Sequence, residues 1–247
     1  MIPWRLLGRA PIPGAGQDLC LYQRGDLPEF SIRISGYVSE LMNSRVHGSE
    51  DVLAELGCAV IAGRQAPQVL VGGLGMGFTL AAALKALGPD GEVTVAELVP
   101  EVVEWNKGPL GACAAYPLHD PRTRVQVGDV AEVLRRGSAA YDAVLLDVDN
   151  GPEGMTHHGN GWLYSPAGLA AARRILRPGG VLAVWSAAPD HRFTQRLVRA
   201  GFRTEVRTVR ARPSKGARHT IWLAHQTPQG QTRVDAPARK RRDEKRD

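Results

Sequence analysis

From Gln68 to Leu223 the chain alternates short apolar runs with segments of helical pattern, and that alternation leaves few folds open. The runs are Gln68–Val71, Val93–Ala96, Arg124–Val127, Ala143–Leu146 and Val181–Trp185. Between and after them, helices are predicted over Phe78–Leu87, Pro100–Lys107, Val130–Arg135, Pro166–Leu176 and His191–Ala200. Continuous apolar strands suit a parallel sheet covered on both faces. Alternation of strand and helix implies right-handed crossovers and a doubly wound α/β sheet. The last two strands, Arg203–Val209 and His219–Leu223, are joined by a short loop, Arg210 to Arg218. They therefore pair antiparallel, because a parallel return needs a longer crossover.

Ahead of this unit lie two alternating stretches, Asp18–Tyr22 and Phe30–Ser35, with a turn at Gly25-Asp26-Leu27-Pro28. They read as a small β-hairpin appendage. Ser49-Glu50-Asp51 then opens a helix through Val52, Leu53, Leu56 and Val60, closed by Gly63. The predicted organisation is an N-terminal β appendage over 1–46, an α/β domain over 47–226 and a disordered basic tail over 227–247.

Composition excludes several classes. With 43% hydrophobic and 23% charged residues, the chain is globular. No run of about 18 apolar residues occurs, so no membrane helix is expected. The segment Met1 to Gly14 lacks the apolar core of a secretory signal, and an intracellular, cytoplasmic location is expected. Cys20, Cys58 and Cys113 stand far apart, which supports neither a disulfide framework nor a zinc ribbon. His157 and His158 have no third ligand at metal spacing, so no metal is expected. Of the net charge of +6, half lies from Arg233 onward, where seven basic residues face four acidic ones. A basic tail can attract RNA. This one has no aromatic residue for base stacking, and it reads as a solvated terminus instead.

Ligands of doubly wound sheets sit beyond the carboxyl ends of the strands. After the first strand comes Gly72-Gly73-Leu74-Gly75-Met76-Gly77, whose glycines allow a close backbone approach to a ligand. After the second comes Glu97, placed to accept both hydroxyls of a ribose. After the third comes Asp129, within reach of an adenine amine, and after the fourth comes Asp147-Val148-Asp149-Asn150. Gly73, Gly75, Gly77, Glu97 and Asp129 form the expected cofactor site. A nicotinamide dinucleotide wants a small residue where Phe78 stands, and its phosphates would be repelled by these acids. An adenosine-bearing ligand without phosphates fits better.

In their order, these motifs resemble the spermidine synthases, aminopropyltransferases within the S-adenosylmethionine-dependent methyltransferase fold. The resemblance runs from about Leu19 to Ala224 and includes Val69–Gly77, Val95-Ala96-Glu97-Leu98, Gly128-Asp129 and Tyr141–Asp147. It also includes Leu163-Tyr164-Ser165 and Arg177–Leu182. It implies a class I methyltransferase-like sheet, a decarboxylated S-adenosylmethionine-like donor, a small amine acceptor and a homodimer. It further implies Asp147 as the base and Asp149 as a second catalytic acid that anchors a cationic acceptor, with Glu50, Glu55 and Asn150 at the substrate. The glycine-bearing loop Met155 to Trp162, placed over the strand ends, reads as a mobile lid that brings Trp162 or His158 to the substrate. Gly75 or Met76 stands where the family carries an acid for the aminopropyl ammonium, and Leu53-Ala54-Glu55 stands for its Tyr-His-Glu. Asn150 occupies the family's second acidic position in Asp-x-x-Asp-Pro. Transfer of methyl from S-adenosylmethionine, and a non-catalytic nucleoside- or RNA-associated role, stay open at this level.

Overall fold

The computed structural model describes residues 2–37, 39–148, 161–211 and 216–227. Two sheets build it. The first is antiparallel, in the order β1 (Trp4–Pro11), β2 (Asp18–Arg24), β3 (Phe30–Ile34), β4 (Glu40–Asn43). The predicted hairpin, β2 with β3, is thus the middle of a four-stranded sheet. The outer strands carry no clean two-residue period. β1 slips register between Leu6 and Gly8, and β4 is four residues long with every side chain half-buried.

The second sheet has seven strands in the order β10-β11-β9-β8-β5-β6-β7. They are β5 (Gln68–Gly72), β6 (Glu92–Glu97), β7 (Thr123–Val127), β8 (Tyr141–Leu146), β9 (Leu176–Ser186), β10 (Phe202–Arg210) and β11 (Arg218–Gln226). β5 pairs in parallel with both β6 and β8, so the strand order reverses there. The expected antiparallel pairing of β10 with β11 is present. β9 begins at Leu176, directly after the helix and five residues ahead of the expected run Val181–Trp185.

The helices are α1 (Gly48–Val60), α2 (Phe78–Ala86), α3 (Pro100–Lys107), α4 (Val130–Arg136), α5 (Pro166–Ile175) and α6 (His191–Arg199). Two apolar layers cover the sheet. Val69, Val71, Ala143 and Leu145 face the layer that holds Leu53 of α1, Leu80 of α2 and Val102 of α3. Leu70, Val144 and Leu146 face the layer of Leu134, Leu169 and Phe193 from α4, α5 and α6. Successive strand residues thus enter opposite layers, and for this reason the central runs are apolar throughout. β7, at the sheet edge, leaves Val125 and Val127 exposed.

At the amino end of β8, buried Asp142 ties three segments together. Its Oδ1 accepts from Arg64 Nη1 at 2.5 Å, and its Oδ2 accepts from Arg177 Nη1 at 2.9 Å and from the Gln68 backbone N–H at 2.8 Å. Two guanidiniums and an amide thereby satisfy a charge that would be costly to bury unpaired.

Candidate active site

A cavity of about 180 Å³ opens at the carboxyl ends of β5, β6 and β8, beside the reversal of strand order. Gly73, Leu74 and Gly75 border it below. Ile32, Ile34 and Met42 of the N-terminal sheet supply an apolar wall opposite. Among the described residues four carboxylates line it: Glu50, Glu97, Asp129 and Asp147.

Glu97 ends β6 and is buried. Its Oε2 accepts the Leu74 N–H at 2.8 Å and its Oε1 accepts the Val99 N–H at 2.9 Å. Burial raises its pKa, while the backbone N–H groups of Val99, Leu74, Gly75 and Leu98 pull it down. Each carboxylate oxygen accepts two hydrogen bonds. Both oxygens therefore keep capacity for a further donor, as a pair of vicinal hydroxyls would need. Asp129 lines the cavity and also caps α4, where Oδ1 accepts the Ala131 N–H at 2.8 Å.

Asp147 follows β8 directly, its N–H bonded to the Gly72 carbonyl at 2.9 Å. Thr79 Oγ1, in the first turn of α2, donates to its Oδ2 at 2.5 Å. Burial, then the negative charge of Glu50, hold its pKa up at about 7, against the opposing pull of Thr79. Glu50 comes from the first turn of α1, and Ser49 Oγ donates to its Oε2 at 2.6 Å. Its pKa is raised chiefly by burial, opposed by that hydroxyl, by its own backbone N–H and by His47. The two acids thus form a pair reluctant to carry two charges at neutral pH.

Other expected residues take other places. Glu55 is exposed on α1 and does not line the cavity. Five residues on a helix turn the side chain by about 140° from Glu50. Trp162 lies under the Arg135 guanidinium, 4.0 Å from its ring centre, and packs on the layer of α4 to α6. Gly77 caps α2, with its N–H on the Leu74 carbonyl at 2.8 Å, and is not among the lining residues, whereas Gly73 and Gly75 are. Asp149, Asn150 and most of the expected lid over 155–162 lie outside the described residues, as does the tail from 228 onward.

Two contributions carried no clear signal in the sequence. Thr79 reads as an ordinary helix residue until Asp147 is brought to it. Asn106 is a polar residue on the buried face of α3, and its Nδ2 holds the Gly75 carbonyl at 2.8 Å. Trp185, at the end of the fifth apolar run, packs against the core and also borders the cavity, its ring edge-on to His219 at 4.7 Å.

Comparison with known proteins gives a consistent picture. Residues 53–201 match the model of the spermine/spermidine synthase domain. A polyamine aminopropyltransferase of Korarchaeum cryptofilum is 33% identical over 135 residues, which is 54% of this chain and 40% of that protein. One from Prochlorococcus marinus is 30% identical over 150 residues, covering 58% and 50%. The chain thus spans half or less of the length of these curated relatives. Among solved structures, spermidine synthase from Thermotoga maritima superposes with a TM-score of 0.69 at 18% identity, over 90% of this chain and 73% of that one. The O-methyltransferase TomG from Streptomyces achromogenes superposes at 0.51 and 21% identity, over 73% and 80%. Both share the fold.

Proposed function

The chain belongs to the spermine/spermidine synthase domain family, and from that premise we propose that it moves an aminopropyl-type group from a decarboxylated S-adenosylmethionine-like donor to an amine acceptor. One observation carries this reading: the Glu50–Asp147 pair lines the same cavity as the two nucleoside-side acids, Glu97 and Asp129. A nucleoside and a cationic amine can therefore be held side by side.

In this reading Glu97 holds the ribose and Asp129 faces the adenine. The acceptor's ammonium docks between Glu50 and Asp147. An alkyl ammonium has a pKa of about 10.4 and no free lone pair at neutral pH. Asp147, held near 7, is a stronger base than an ordinary carboxylate, which narrows the gap the proton must cross. The freed amine attacks the carbon next to the sulfonium, the C–S bonding pair leaves on sulfur, and a neutral thioether departs. Holding the partners in line supplies the rest of the acceleration. Asp149 and Asn150 are proposed to complete the acceptor side.

A second reading, methyl transfer from S-adenosylmethionine, is favoured by one feature. Where the family's acid for the aminopropyl ammonium is expected, Gly75 faces Met42, whose Sδ lies 3.1 Å from the place a Cβ would take. Assays with S-adenosylmethionine and its decarboxylated form, each against putrescine, spermidine, other diamines and small amino acids, separate the two. Turnover only with S-adenosylmethionine would overturn aminopropyl transfer. In the same assay Glu97→Gln is expected to weaken either donor by about 1.5–3 kcal/mol, the worth of hydrogen bonds to a charged group. Unchanged affinity by calorimetry would remove Glu97 from the site.

A homodimer is also proposed. β1 is an edge strand that exposes Leu6 and Leu7, and such edges invite pairing. Light scattering at micromolar concentration is expected to give twice the chain mass, and a monomer would sink this assembly.

A further inference from the structure

One hydrogen-bonded chain leaves the cavity and takes no part in the steps above. Ser49, buried at the start of α1, donates from Oγ to Glu50 Oε2 at 2.6 Å. The same Oγ lies 2.8 Å from Nδ1 of His219, a residue 170 positions away at the start of β11. His219 is half-buried, and the residues before it, Gly216 to Arg218, are exposed. Among the described residues its Nε2 meets no partner. Trp185, itself on the cavity wall, packs edge-on against the imidazole and fixes its plane. Carboxylate, hydroxyl and imidazole thus stand in one line from the cavity to the surface.

The heavy-atom distances suit two directions of hydrogen bonding. With Glu50 ionised, its oxygens only accept. Ser49 must then point its O–H at Glu50, and His219 must donate from Nδ1–H to Ser49. With Glu50 protonated, all three can reverse: Glu50 donates to Ser49, and Ser49 donates to a bare Nδ1 of the Nε2–H tautomer. A hydroxyl with one proton and two lone pairs is the one neutral link that serves both states.

We propose that Ser49 and His219 form a proton exit that drains the Glu50–Asp147 pair to solvent. The proposal rests on the transferase reading, because the reaction creates the need. The acceptor enters as R–NH₃⁺ and gives one proton to the pair. Its lone pair forms the C–N bond while the C–S pair leaves on sulfur, and the product departs as a secondary ammonium. One proton per turnover remains on the acids. Taken up by Asp147, it crosses the cavity that both acids line to reach Glu50, then passes from Glu50 to Ser49 Oγ as the Ser49 proton passes to His219 Nδ1, and the imidazolium releases its Nε2 proton to water. Exchange of the ring tautomer through water resets the chain. Burial lowers the His219 pKa, which favours release of the proton from the ring.

The charged and titratable groups near this chain are His47 at the N-cap of α1, Glu50 and Asp51 in its first turn, Asp147 beyond β8, and Arg210 and Arg218 at the β10–β11 end. His47 is engaged with Asp51, Nδ1 to Oδ2 at 2.8 Å, which sets it apart from the line.

The test uses the full chain with ¹⁵N-labelled histidine and reads the His219 tautomer by NMR. The expected result is Nδ1–H while the acids are ionised, moving toward Nε2–H as pH falls through their titration. In Ser49→Ala and in Glu50→Gln the tautomer no longer follows the acids. A tautomer constant in the wild type, or one that still switches in Ser49→Ala, overturns the proposal. A second measurement reads turnover. His219→Ala is expected to lower kcat by a factor of about 10, less than the loss of a base costs, with the acceptor KM unchanged and with rescue by added imidazole. Full kcat in His219→Ala, or a loss that imidazole does not restore, overturns the exit role. Should no donor–acceptor pair turn over while the tautomer still follows the acids, the transferase reading fails and the hydrogen-bonded switch stands.

Discussion

Asp147→Asn is expected to lower turnover by about 10²–10⁴-fold while nucleoside binding survives. Asparagine keeps the shape and can still receive the Thr79 hydroxyl, but it cannot take a proton from an ammonium. The pH dependence carries the same signature. The Asp147 pKa is raised to about 7, so the group is protonated below that pH and ionised above it. A base must be ionised, so kcat/KM is expected to rise with pH through about 7 and to fall on the acid side. Glu50→Gln removes a repelling charge and moves that limb to lower pH. Thr79→Val removes a hydrogen bond that favours the ionised form and moves it higher. Stability follows the opposite sign. A carboxyl whose pKa is raised on folding stabilises the native state at low pH and loses that contribution as pH rises through the folded value. Above neutral pH, Asp147→Asn is therefore expected to be more stable than the wild type, by something on the order of 2 kcal/mol. Near-full turnover in Asp147→Asn with an active donor–acceptor pair would show that the base is elsewhere.

Gly73→Ala is expected to destabilise the fold by about 3 kcal/mol and to disable the site along with it. Gly73 has a φ of +90°, and a Cβ there would stand 2.4 Å from the Asp147 carbonyl oxygen. That oxygen is backbone and cannot rotate away. The neighbouring Asp147 N–H is already fixed on Gly72. Relief therefore requires β5 and β8 to part just where Asp147 is carried. Gly75→Ala is the control. Its φ is +52°, but its Cβ would meet the end of the flexible Met42 side chain. A cost of about 1 kcal/mol is expected there. Thermal unfolding of the two variants should separate them clearly, and equal losses would show that the Asp147 contact does not decide the matter.

What could be read from the sequence, and what could not, follows one physical line. Glu97, Asp129 and Asp147 were placed by their positions just after apolar runs, and all three line the cavity. A strand end is a local feature, and a parallel sheet gathers such ends on one side. Helical positions were less secure, because the direction of a side chain depends on where the helix settles. For that reason Glu50 faces the cavity and Glu55 faces solvent. The N-terminal sheet was half visible: β2 and β3 alternate cleanly, while β1 is bulged and β4 is too short for a period to show. The contact between Ser49 and His219 left no trace, since only tertiary packing joins residues so far apart in the chain.

The arginine-held Asp142 has a bearing on how such a protein can change over generations. It secures β8 at the strand end remote from Asp147, five residues or about 16 Å along the strand. Anchorage and cavity are thus segregated at opposite poles of one sheet. Exchanges among the cavity-lining side chains leave that clamp intact. A lineage carrying this arrangement can trial new substrates at one pole while inheriting its cohesion from the other.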